Sequence, residues 1–390
     1  MRIGGFKIGI PVWFPRYNRP GIDNNPEEKT MFRSIFIGLL VPLIVVSPVP
    51  SQESQSVLSR SADLTKDDVF QRIWDSDENQ LSVSRRTKTG EWEDPEADIL
   101  LDEQVKASGE RAIDLATRPL FHKVNESKLF DPNRTYASFM KLLDNYAIRT
   151  TDPEFTTEEE EAEQQYFLSQ ILQTRPMQIA RNYINQTLGE NLSEAQFYQV
   201  LHRLWFELYT NRGTIDFCSG FEHVFVGEGK YQLQQDNKRE IFGDVSGYHS
   251  WVKFYLDEKN QRVNFRGYNY DSQGTTNPNM VTLQMIYTVM DTLGEPIAKL
   301  FKRKSGFFVG SSPECEMAMA TVVFFESVHG KISDKRRMTI NGATYNLVLY
   351  RSADSDGNRG DFIRSFYPIF LGLDDVEKPD MDPSIDEDIK

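Results

Sequence analysis

The chain has 390 residues, 39% hydrophobic and 12% aromatic, which is long enough for one large core or two modest ones. A net charge of −14 disfavours non-specific coating of nucleic acid, whose affinity comes from neutralising phosphates, yet permits a local basic site aimed at one phosphate. A mean hydropathy of −0.51 excludes a membrane bundle.

Residues 1–30 form an atypical N-terminal extension, in which "PVWFPRYNRPGIDNNPEE" resembles neither a helix nor a targeting sequence. From Met31, "MFRSIFIGLLVPLIVVSPVPSQESQS" carries one basic residue, an apolar run from Ile35 to Val46 and a polar exit. That is a secretory-signal pattern over 31–50. The run is short for a membrane span and Pro42 interrupts it. Translation starting at Met31 would explain the layout, whereas a start at Met1 leaves a buried signal or an anchor. The expectation is a secreted or secretory-pathway protein with no stable membrane association after processing. Sequons at Asn125, Asn133, Asn185 and Asn191 agree with N-glycosylation in that compartment. The two cysteines, Cys218 and Cys315, are either one disulfide or two buried thiols.

Residues 51–66 read as a linker and 67–211 as mainly helical. "DDVFQRIWDSDENQL" places Val69, Ile73 and Trp74 at helical spacing, and "ASFMKLLDNY" does the same with Phe139, Leu142 and Leu143. Thr157 and the glutamates of "TTEEEEAEQQYFLSQILQ" suit a capped helix start. "SEAQFYQVLHRLWFELY" is amphipathic, and its His202 reads as a packed or surface residue. From 212 to 373 the texture is β-rich. "EHVFVG", "HSWVKFYLD", "RVNFRGYNY", "SGFFVG", "TVVFF", "MTINGATYNLVLYRS" and "IRSFYPIF" read as strands, with a hairpin at Asn341-Gly342. Ser312 caps a helix opening at "SPECE", and 374–390 is an acidic tail. The predicted class is α+β, a helical N-terminal part packed on antiparallel sheets.

His223 and His249, 26 positions apart among five histidines, each follow a glycine-assisted turn. There they can serve as base and acid on opposite sides of a reaction centre. No HExxH or tight ligand spacing supports zinc. "KLFKRKSGFFVG" holds Lys299, Lys302, Arg303 and Lys304, the clearest basic cluster, able to offset charge on a phosphate. Ser365 and Tyr367 alternate with Phe366, so a strand puts both on one face, where they can bind a nucleobase. On an alternating strand, Glu222 points away from His223 and is an orienting or structural neighbour. "DSDGNRGD", residues 354–361, reads as a turn rather than a calcium loop.

"GFEHVFVGE", "GYHSWVKFYL", "VNFRGYNY", "GSSPECEMAMATVVFF" and "IRSFYPI", in this order, resemble the EndoU family of uridylate-preferring endoribonucleases, from about Leu58 to Leu373. The resemblance implies that His223, His249 and Lys302 are catalytic and that Ser365 and Tyr367 bind substrate. Lys304 is the weaker alternative to Lys302, Ser250 stands in place of the usual asparagine, and Cys315 in place of phenylalanine. The implied reaction is cleavage of single-stranded RNA at uridylates by attack of the 2′-hydroxyl. It leaves 2′,3′-cyclic phosphate and 5′-hydroxyl ends, with His249 the candidate base and His223 the candidate acid. Family members often respond to Mn2+ or Ca2+, although no metal cage is visible in the sequence. A monomer is expected. The alternative is a secreted RNA-binding module without turnover.

Overall fold

The computed structural model describes residues 69–212, 214, 217–232, 242–269 and 279–373. The extension, signal-like segment, linker and acidic tail therefore lie outside the described residues. Helix α1 (Val69–Asp75) buries Val69, Phe70, Ile73 and Trp74. Three short strands follow, β1 (Val83–Arg85), β2 (Ile99–Leu101) and β3 (Phe121–Val124), forming a small sheet inside the segment read as helical. Its β1–β2 pairing is parallel. Next come α2 (Glu126–Leu129), α3 (Thr135–Lys141), α4 (Glu158–Ile171), α5 (Arg175–Thr187) and α6 (Glu194–Phe206).

Capping fixes where these helices start. Thr157 Oγ1 accepts from Glu160 N at 3.2 Å while the Glu160 carboxylate accepts from Thr157 N at 2.7 Å. Ser193 and Gln196 repeat the arrangement at α6. Each helix turns an apolar stripe inward, such as Phe167, Leu168 and Ile171 of α4, so most of its stability comes from packing.

The second half begins with β4 (Tyr209–Thr210) and β5 (Phe217–Cys218), then a π-helical turn at Glu222–Val226. Strands β6 (Glu228–Lys230) and β7 (Phe242–Ser246) follow, then helix α7 (Trp251–Lys259), β8 (Val263–Tyr268), β9 (Met280–Met290) and β10 (Pro296–Phe308). The five-stranded sheet has the order β6-β7-β10-β9-β8 and is antiparallel except for β7 beside β10. Helix α8 (Pro313–Val328) leads to β11 (Lys335–Ile340), β12 (Ala343–Ala353) and β13 (Arg359–Leu373), a second antiparallel sheet. The fold is α+β, as expected.

Three segments read as strands are helical. "EHVFVG" forms the π turn, "HSWVKFYLD" forms α7, and "TVVFF" continues α8. Serines decide two of them: Ser250 Oγ accepts from Lys253 N, and Ser312 Oγ from Cys315 N, at the first turns of α7 and α8. Burial all round α8 removes the one-sided pattern that marks a surface helix. The Asn341-Gly342 hairpin forms as read, with φ of 51° and 75°.

The start of α8 joins the two halves through buried carboxyls. Asp77 accepts from Ser312 N at 2.8 Å; Glu314 accepts from Thr135 Oγ1 at 2.6 Å and Asn79 Nδ2 at 2.7 Å; Glu316 accepts from Ser311 Oγ at 2.7 Å. Burial pushes Asp77 up to about 7 and Glu316 up to about 8. A carboxyl with a raised folded-state pKa stabilises fully below its unfolded value and loses that contribution as pH rises through the folded one. Glu316→Gln, which still accepts from Ser311, should therefore remove the loss between about pH 4.5 and 8. Urea unfolding at pH 5 and pH 9 should differ less in the variant, by about 4 kcal/mol.

Candidate active site

His223 lies in the π turn, not on a strand. The turn starts with a capping box that reads S-x-x-E in the sequence: Glu222 N donates to Ser219 Oγ at 3.1 Å, and Ser219 N donates to Glu222 Oε2 at 3.2 Å. Glu222 is thus occupied by its own turn. Burial, then the charges of Glu228 and Glu154, push its carboxyl well up. The strand argument for Glu222 fails, because nothing alternates here, while its structural assignment fits these bonds.

A π turn spaces its bonds at i→i+5, and Gly227 N donates to Glu222 O at 2.7 Å. The next carbonyls are taken by another segment: Tyr248 N donates to His223 O at 3.0 Å and His249 N to Val224 O at 2.6 Å. The donors reach these acceptors through left-handed backbone at Gly247 and Tyr248, with φ of 67° and 66°. A Cβ on Gly247 would lie 1.8 Å from His223 O, so only glycine allows the approach. The two histidine segments are thereby stitched together through backbone, and Ser250, one residue on, caps α7.

Strand β10 delivers the lysine. Its pairing with β9 shifts register between Lys302 and Ser305. One extra residue lets Lys302 and Ser305, three apart, both serve the histidines. Ser305 Oγ donates to Tyr248 O at 2.9 Å, and the Lys302 charge acts on both imidazoles. Lys302 is buried and Lys304 half-exposed, which favours Lys302 as the functional lysine. Gly306 O lies 2.9 Å from His249 Nδ1. A carbonyl only accepts, so Nδ1 carries the hydrogen and Nε2 is the basic atom of the neutral ring.

Strand β13 supplies the last wall. Ser365 and Tyr367 pair with Tyr350 and Val348 on β12 and share a face, as expected. Tyr367 stacks on His249, ring centroids 4.7 Å apart and planes at 21°. One ring face is thus already taken. Arg364, between Ile363 and Ser365, makes a bidentate pair with Glu228 at 2.8 and 2.9 Å. Glu228 Oε2 lies 3.2 Å from His223 Nδ1, near enough for charge attraction though not aligned as a hydrogen bond.

Glu228 and Arg364 are absent from the sequence-based site. "GFEHVFVGE" and "IRSFYPI" contain them, but their 136-residue separation hides the pairing.

Both imidazoles are held neutral. Burial lowers His223 to about 4, helped by Arg364 and Lys302 and opposed by Glu228. Burial, Lys302 and His223 push His249 well below its ordinary value, against the Gly306 carbonyl. Burial raises Glu228, but His223 and Arg364 more than reverse this and hold it well below the usual carboxylate range.

Cys218 and Cys315 are both free and buried, so the candidate disulfide does not form. Each thiol has its own surroundings. Cys218 Sγ lies 3.6 Å from Tyr209 O and 3.3 Å from Arg364 Nη1, whereas Cys315 packs into the first turn of α8 beside Asp77. Burial pushes Cys218 up to about 12.

Among the sequons, the Asn185 side chain bonds both backbone groups of Leu192, at 2.7 and 2.9 Å. Asn125 Nδ2 donates to Asp98, while Asn133 and Asn191 are exposed.

An α+β fold whose two sheets and π turn converge on two histidines and a lysine defines an acid–base centre suited to phosphoryl transfer. A family model described as Endoribonuclease XendoU matches residues 67–368. The chain is 32% identical to the poly(U)-specific endoribonuclease of Xenopus tropicalis, over 83% of this chain and 99% of that protein. It is 33% identical to uridylate-specific endoribonuclease C of Danio rerio, over 75% of this chain and 84% of that one. The solved structure of XendoU, a splicing-independent snoRNA-processing endoribonuclease, superposes with a TM-score of 0.55 at 30% identity, covering 78% of this chain and 96% of that one. The chain belongs to the XendoU endoribonuclease family.

Gly247→Ala should misplace both histidines at once. The expected cost is on the order of 3 kcal/mol, with loss of nearly all activity. Thermal unfolding and a cleavage assay on the same preparation check this.

Proposed function

We propose that the protein cleaves single-stranded RNA at uridylates by transesterification through the 2′-hydroxyl, leaving 2′,3′-cyclic phosphate and 5′-hydroxyl ends. The observation that carries this reading is the convergence of His223, His249 and the Lys302 charge, with both imidazoles neutral. The named activities of the relatives favour RNA and uridine as substrate.

His249, its Nδ1 tethered to Gly306, takes the 2′-hydroxyl proton at Nε2. His223, beside Glu228, is protonated from solvent once the substrate phosphate has raised its pKa, and it gives that proton to the leaving 5′-oxygen, so His249 ends charged and His223 neutral. Lys302 offsets charge on the non-bridging oxygens. A bound phosphate brings negative charge that raises both imidazoles toward the range in which they exchange protons. Tyr367 and His249 are 9% and 6% exposed, and these edges are the entry a nucleotide would use. Tyr367 lays one ring face on His249, and Ser365 lies on the same side of β13.

The donor sets do not fit a bound ion, since among the described residues no three His, Cys, Asp or Glu side chains group as a metal site. Stimulation by Mn2+ or Ca2+ would act on the RNA or on a carboxylate cluster, and no proton step is assigned to an ion.

An oligonucleotide with a single uridine should be cut once, to a cyclic-phosphate end, and its 2′-deoxyuridine version should resist. His249→Ala should slow cleavage by about 10²–10⁴-fold. Lys302→Met should slow it by about 10²–10³-fold and move the acidic limb of kcat/KM to higher pH, because it removes a cation that depresses both imidazoles. RNA bound but left intact by the wild-type chain would instead support a binding module without turnover.

A further inference from the structure

Tyr248 bonds both the π turn that carries His223 and the β10 strand that carries Lys302. Its N–H holds His223 O at 3.0 Å, and its carbonyl accepts from Ser305 Oγ at 2.9 Å. Its side chain lies against Gly227, where an added Cβ would meet Tyr248 Cβ at 2.8 Å. Its φ of 66° is unfavourable for a bulky residue, so something must hold it there. The holder is buried inside the sheet–helix layer. Tyr248 Oη donates to Asp257 Oδ2 at 2.6 Å, and Lys253 pairs with the same carboxylate. Lys253 Nζ also lies 5.6 Å from the Tyr248 ring centroid and 5.5 Å from that of Tyr287.

We infer that Tyr248, anchored by the buried Lys253–Asp257 pair of α7, is a positioning residue that sets the mutual placement of His223, His249 and Lys302. The inference rests on the catalytic reading of that centre. A buried ion pair is weak evidence for stability and is better suited to fixing one arrangement among several. Here the arrangement it fixes is a strained tyrosine whose two backbone groups bond the catalytic segments, so the pair acts on the chemistry without touching the substrate. Burial alone would neutralise Lys253; Asp257 reverses this and holds its pKa above the ordinary value, so the anchor persists across the pH range of the histidines.

The test is Tyr248→Phe, which keeps shape and burial, beside Tyr287→Phe, which removes a hydroxyl from the same cluster without bonding the turn. Two readouts are combined: kcat and KM on the single-uridine oligonucleotide, and NMR titration of the five histidines. Tyr248→Phe should lower kcat about tenfold or more with KM within about twofold. It should also raise the His223 and His249 pKa values toward ordinary. Tyr287→Phe should change neither readout. Asp257→Asn should lower kcat as well, and the double variant with Tyr248→Phe should be no worse than the poorer single one, because both act through one contact. If Tyr248→Phe leaves kcat and both titrations at wild-type values, or if Tyr287→Phe reproduces its effects, the positioning role is wrong. If Tyr248→Phe does not fold, Lys253→Met and Asp257→Asn carry the same two readouts. Should the wild-type chain fail to cut RNA, the proposed reaction falls, and the histidine titrations alone decide whether Tyr248 positions the centre.

Discussion

The site depends on two backbone hydrogen bonds, from Tyr248 N and His249 N to the carbonyls of His223 and Val224. Gly227 N closes the π turn at Glu222–Val226 on Glu222 O, and the carbonyls after it, at the C-terminal end of the turn, are left to a partner segment. The partner can approach only because Gly247 has no side chain. One local irregularity therefore converts two segments far apart in sequence into a single acid–base unit. The bulge in β10 is the matching irregularity on the other side, adding Lys302 and Ser305. Both distortions lie where chemistry is proposed, while the paired strands and capped helices around them are regular.

Much of this framework was legible in the sequence. Thr157, Ser312 and Asn341-Gly342 each announced a helix start or a turn through their own chemistry, and each is used that way. The β13 alternation correctly put Ser365 and Tyr367 on one face. The misreadings arose where short aromatic runs fit both periods. "HSWVKFYLD" alternates well enough for a strand, but Ser250 was an available cap and the segment is α7. Ser219 and Glu222 formed an equally visible capping box in front of His223. What one sequence could not show was long-range pairing. Glu228 and Arg364 meet only because β6 and β13 are brought together by the fold, and the two cysteines stay apart for the same reason.

Electrostatics explain how an acidic chain can present such a centre. The net charge of −14 is a sum over the whole chain, and the field of exposed charges is screened within about 8 Å at physiological salt. The centre is buried, and there Lys302 and Arg364 act at short range in a weakly polarisable setting. Arg364 is already neutralised by Glu228, so its main effects are to fix that carboxylate beside His223 and to keep the imidazole from charging prematurely. Lys302 bears on both imidazoles and is itself placed to meet an anion.

This division of labour suits a transesterification better than tight nucleic-acid binding. Affinity spread along an RNA backbone would need many surface cations, and would bind ground state and transition state alike. In the proposed reaction a buried lysine acting on two neutral histidines would favour the moment when charge gathers on one phosphorus. In the proposed reaction an arriving phosphate would raise the pKa values that Lys302 and burial lower, so substrate itself would bring the histidines toward proton exchange. Such coupling requires the two rings and the lysine to keep fixed distances, since Coulomb energies in a buried site change steeply with separation. The irregular backbone at Gly247 and Tyr248 is thus not incidental to the chemistry; it holds the distances on which the electrostatic balance depends.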